Sequence, residues 1–153
     1  MAVRVNLFDL KSALLARHAQ HVVLIHFPIA LFIAGVLCDV LAHWRGEIAL
    51  KAAARFNLWA AAFMALPVVA TGLAAWQWQL EGQRLKGLLR LHLLFGCLSA
   101  VLICLVAWMR SRSWGKADSS LPVLHAVVEL LGVAVVALTA HLGGFVSGVN
   151  VPN

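Results

Sequence analysis

Apolar positions along the chain fall into four long runs, Val22–Leu41, Phe56–Trp76, Leu91–Trp108 and Val123–Leu142, separated by short polar connections. Each run is long enough to cross a lipid bilayer. Hydrocarbon offers a backbone no hydrogen-bond partner, so each must satisfy its own amides as a helix. At about 1.5 Å of rise per residue, about 20 residues cover the roughly 30 Å apolar layer. The pattern therefore predicts four spanning helices, and every polar group inside them needs a reason to be there.

The connections are His43–Arg55, Gln77–Arg90 and Arg110–Pro122. Tryptophans gather at the run ends (Trp44, Trp59, Trp76, Trp78, Trp108 and Trp114), as indole rings do at headgroup level. Before the first run, Met1–Gln20 has dispersed apolar residues and the charges Arg4, Asp9, Lys11 and Arg17, which is no cleavable signal peptide. Leu7, Leu10, Leu14 and Leu15 share a helical face, which predicts a short amphipathic helix lying on the membrane. After the last run, Gly143 and Gly144 are expected to end the helix and start an extended tail that could fold over as a lid. Pro28 is read as lying in the first turns of its helix, where a missing donor costs little, and Pro67 as kinking the second span.

Four crossings put both termini on one side, called face A here, with the Gln77–Arg90 connection; the other two connections lie on face B. Six Lys and Arg fall on each face, so charge does not orient the protein. "VVATGL" (Val68–Leu73) echoes "VVALTAHL" (Val135–Leu142), and His26 to Thr71 and His92 to Thr139 are separated by 45 and 47 residues. This suggests a duplicated helical hairpin. The predicted architecture is thus an all-α integral membrane four-helix bundle over residues 21–153, ending in a short extended tail, with an interfacial helix over residues 1–20.

Composition agrees with a membrane solvent. The chain is 63% hydrophobic and 12% charged, with a mean hydropathy of +0.92, against about 25% charge in soluble domains. The net charge of +6 does not point to nucleic acid, because the Lys and Arg residues lie between the runs, where they anchor at headgroups. Cys38, Cys97 and Cys104 lie inside runs without a C-x-x-C or haem-attachment motif, and read as small reduced core residues. No phosphate-binding loop and no nucleophile–base pair supports hydrolysis or nucleotide binding, so the chain is not expected to be an enzyme on its own.

The chemistry must come from polar residues inside the layer. Toward face A these are His21, His26, Thr71, His92, Thr139 and His141. His26 and His92 lie about one turn inside the first and third spans, on helices expected to be diagonal in the bundle. Two imidazoles from facing helices suit axial ligation of b-type haem, with His21 and His141 as supporting or substitute ligands. Gly72 and Gly96 would let a flat macrocycle approach the backbone. A non-haem metal held by His21, His26, His92 and His141 is a weaker choice, since carboxylates are absent from that end. The alternative is that the histidines only tie helices together through backbone carbonyls or Thr71 and Thr139. Toward face B, Asp39 and His43 are four apart on one helix, and so are His125 and Glu129 on another. Asp39 and Glu129 are the only acids in the spans, and form a secondary polar site: local carboxyl–imidazole ties, or a proton or ion site.

At "HVVLIHFPIALFIAG" (His21–Gly35), "ATGLAAW" at the end of span two, "LHLLFG" (Leu91–Gly96) and "HLGGFVSGVNV" (His141–Val151), the chain resembles the small bacterial membrane proteins called domain of unknown function 2231. The resemblance covers about residues 20–151. It departs at His21-Val22, where the family pattern usually has His-Pro. It implies a four-helix protein of a bacterial cytoplasmic membrane. Some members are joined to cytochrome c or Rieske-type domains, which implies electron transfer with His21, His26, His92 and His141 as the site. The expected function is a membrane electron-transfer subunit binding haem b, with a redox protein, other subunits of a complex, or quinone as partner. A cofactor-free membrane anchor is the alternative, and a small ion- or proton-coupled transporter using Asp39 and Glu129 the third reading.

Overall fold

A computed structural model of the chain describes residues 17–79, 86–113 and 123–148. These form four helices: α1 (Arg17–Arg45), α2 (Ile48–Gln79), α3 (Gly87–Ser113) and α4 (Val123–Val146). Among the described residues there is no strand. All four helices are long and apolar enough to cross a membrane. The expected interfacial helix before Arg17, Trp78, Trp114 and the tail beyond Gly148 lie outside the residues whose side chains or backbone are described.

The helices outrun the apolar runs that nucleate them. At 32 residues, α2 is about 48 Å long, well beyond the hydrocarbon thickness. Its first two turns carry Lys51 and Arg55, so most of the connection expected between spans one and two is helical. Only Gly46 and Glu47 separate α1 from α2. Gly46 takes a left-handed φ of 68°, and its N–H donates to the Ala42 carbonyl at 2.9 Å, an αL cap that closes the helix within one residue. Two sequence readings change here. Pro28 lies well inside α1, which starts at Arg17, so it removes an interior hydrogen bond. At the other end, α4 runs through Gly143 and Gly144 to Val146 before turning at Ser147 and Gly148.

α1 packs on α2, α3 on α4, α2 on α3, and α4 closes on α1. This is an up-down-up-down ring in which α1 and α3 are diagonal. The core is built around Phe32, Val36, Leu58, Ile103, Val106 and Val136, filled between with Ala61, Ala62 and Ala107. Small residues let backbones approach closely, as membrane helices require. At Gly35 an added Cβ would lie 2.9 Å from Leu58 side-chain atoms and 3.2 Å from its backbone nitrogen. At Gly132 it would meet the ring of the fully buried Phe32 at 2.8 Å. Many other large apolar side chains point outward: Phe63 is 65% exposed, Leu66 64%, Leu130 63% and Val101 61%. In water such a surface would aggregate; in a bilayer it is the solvated face.

Candidate functional site

Each end of the bundle collects polar groups. At the face-A end the two hairpins repeat one device. In α2, Thr71 Oγ1 donates back to the Pro67 carbonyl at 2.8 Å and to Val68 O at 3.0 Å. Its hydroxyl hydrogen is thereby used, so it accepts from Nδ1 of His21 in α1, at 3.2 Å. In α4, Thr139 Oγ1 donates back to Val135 O at 2.8 Å and lies 2.8 Å from the buried Ser99 hydroxyl of α3. His92 Nδ1–H donates to the Thr139 carbonyl at 3.2 Å. In both hairpins a histidine thus meets a threonine, through the hydroxyl for His21 and the backbone carbonyl for His92, and the α1 partner is His21, not His26.

Glycines seat both rings. A Cβ at Gly72 would lie 2.9 Å from Cε1 of His21, and one at Gly143 would lie 3.1 Å from Cε1 of His92. The space made by Gly72 is thus taken by the His21 imidazole. Gly143 reads in sequence as a helix terminator, yet α4 continues through it and uses its bare Cα as a cradle for His92. Gly96, one turn beyond His92, is open: an added Cβ would meet only Thr139 Cγ2, at 3.9 Å.

His26 lies on the exposed side of α1, with Nδ1–H donating to the Val22 carbonyl of its own helix at 2.7 Å. His141 is exposed and stacks edge-on against Phe145, ring centroids 5.0 Å apart. Among the described residues, no three His, Cys, Asp or Glu side chains gather in a group able to hold a metal ion. A carbonyl can only accept, so His26 and His92 both carry hydrogen on Nδ1. In the neutral ring Nε2 then holds the lone pair, the arrangement that orients metal-ligating histidines.

At the face-B end the two span acids meet a base that the sequence reading placed in a connection. Arg110, near the end of α3, donates through Nη2 to Asp39 Oδ1 of α1. Its Nε lies 3.6 Å from Glu129 Oε1 of α4. One guanidinium thus joins three helices, including the diagonal pair. Asp39 is 2% exposed and Glu129 1%. Neither Glu129 oxygen, nor Asp39 Oδ2, accepts a hydrogen bond. His43, one turn beyond Asp39, is exposed, and His125, one turn before Glu129, is half-buried. Nearby, Trp59 Nε1–H of α2 donates to Ser111 Oγ of α3 at 2.8 Å. Arg110 was legible in principle: two acids inside the spans and no base there call for a cation at a neighbouring span end.

The family model described as "Predicted membrane protein (DUF2231)" matches residues 17–150. The chain belongs to the DUF2231 family. The match takes in all four helices of this DUF2231 protein and both polar ends. No curated protein and no solved structure matches it.

Proposed function

We propose that this DUF2231 protein is a membrane electron-transfer subunit that holds a b-type haem near face A, with His26 and His92 as the residues that would hold it. The observation that carries this reading is the shared hydrogen bonding of the two rings. Each gives its Nδ1–H to a backbone carbonyl, Val22 O and Thr139 O, and so presents Nε2 as a donor atom. The two residues come from diagonal helices, but His92 packs between α3 and α4 while His26 lies on the exposed side of α1, so its ring would have to turn inward to share a macrocycle with His92. The open flank of Gly96, one turn from His92, is room that a side chain would fill. When bound, the haem would supply reversible one-electron transfer within the apolar layer. The chain's own residues set ligand orientation, through Val22 and Thr139, and exclude water with the surrounding aliphatic side chains. The partner in this reading is a redox protein or another subunit at face A, or quinone, in a bacterial cytoplasmic membrane.

A second reading rests on a different observation. The His21–Thr71 and His92–Thr139 contacts each tie one hairpin together, which is what a cofactor-free membrane anchor would use. A pyridine haemochrome assay on the detergent-solubilised protein separates the two. The haem reading requires stoichiometric haem b; its absence from protein expressed with ample haem leaves the anchor.

A further inference from the structure

The face-B cluster does not balance its charge. Asp39 and Glu129 would bring two negative charges and Arg110 one positive. The carboxylates are sealed, with side-chain exposures of 3% and 2%, while Arg110 reaches the surface at 17%. The other charged and titratable groups near this end lie toward face B or on the outer surface. On α1 His43 lies toward face B and is exposed. On α2, Lys51 and Arg55 line a groove on the outer face with Phe56, Trp59 and Phe63. On α3 Arg112 turns outward, its guanidinium 4.7 Å above the Trp108 ring. On α4 His125 lies one turn nearer face B than Glu129.

The two acids are not equivalent. Asp39 has the close hydrogen-bonded pairing with Arg110. Glu129 has only the 3.6 Å approach of Nε, and both its oxygens lack hydrogen bonds. Its carboxyl group shares the Arg110 guanidinium with that of Asp39. Two carboxylates cannot hydrogen-bond each other, because neither has a donor; one can bond the other only when it holds a proton. An ionised, unbonded carboxylate inside a spanning bundle carries a desolvation cost that a proton removes. A metal cation would remove it too, but would sit against the Arg110 guanidinium and be repelled.

We propose that Asp39, Arg110 and Glu129 form a proton-binding site, in which Glu129 holds one exchangeable proton at neutral pH and Asp39 is the charged partner of Arg110. The proton comes from water on face B, entering past Arg110, the one member of the cluster that touches the surface. Its uptake converts the Glu129 carboxylate to a carboxylic acid, whose O–H is a donor toward Asp39. The cluster is then neutral, with each charge paired. The site is independent of any cofactor at the opposite end of the bundle.

Infrared spectroscopy of the purified full-length protein in lipid nanodiscs tests this. At neutral pH the wild type should show a protonated-carboxyl C=O stretch that shifts down in D2O. It should also shift when glutamate alone is labelled with carbon-13, which requires no variant to fold. Glu129→Gln should remove the band. Asp39→Asn should remove it as well, because Glu129 then becomes the counter-ion of Arg110. Exchange of choline for sodium chloride should leave it unchanged. A wild-type spectrum without the band overturns the proposal. So does a band indifferent to D2O, to the glutamate label or to Glu129→Gln, or one abolished by sodium.

Discussion

Arg110 shows how much one side chain can hold together. It is the single guanidinium between two sealed acids on two other helices. Removing one partner of a buried ionic cluster leaves uncompensated charge and costs about 3–5 kcal/mol. Arg110→Leu is therefore expected to lower the thermal unfolding midpoint in detergent sharply, while Arg112→Leu, lost from an outward stack on Trp108, should change it little. The histidines differ in the same way. Thr71→Ala deletes the acceptor of His21, whereas Thr139→Ala keeps the carbonyl that holds His92 and deletes the hydroxyl's bonds to Ser99 and to the Val135 carbonyl. Hydrogen bonds between membrane helices average about 0.6 kcal/mol. Each threonine change should thus be mild in a melting assay, and only Thr71→Ala should alter the ring environment of His21 by NMR.

Between helices, glycine sets the spacing. Gly35 lies against both the side chain and the backbone of Leu58, so a methyl group there cannot be absorbed by a rotamer change. Gly35→Ala should separate α1 from α2 at a cost of about 1–3 kcal/mol, the range for overpacked cores. A chemical or thermal denaturation series checks this, with Gly46→Ala as a contrast; there the strain is in the left-handed turn, with open space around it. Helix number and type were readable from the apolar runs, because hydrocarbon leaves the backbone a single solution. Helix ends were less so. Lys51 and Arg55 look like a connection in a hydropathy pattern, yet they extend α2 beyond the apolar layer, where charge is no obstacle to helix. Gly143 reads as a terminator, but its role depends on His92, about fifty residues earlier in the chain. Such pairings between distant segments carry no local signal. The residues of the face-A and face-B sites were legible as polar positions in apolar runs, and Arg110 could be inferred from the two acids; the roles of Ser99 and Gly143 emerged only from packing.

For the molecule as a whole, the outward-facing apolar side chains and the family match make it a membrane protein. Alkaline carbonate should leave it in the membrane pellet, and its appearance in the supernatant would contradict four spanning helices. The bundle is polarised: threonine-seated histidines near one face, a sealed ionic cluster near the other, and an alanine-rich core between them. That division predicts that the ends can be altered separately. His125→Ala should leave pigment intact, while His26→Ala or His92→Ala should remove it. The most direct test is a dithionite-reduced minus oxidised spectrum of the purified protein and of the His26→Ala and His92→Ala variants. The account predicts a b-type α band in the wild type and its loss in both variants. A featureless wild-type spectrum, or a band that survives both substitutions, would contradict it.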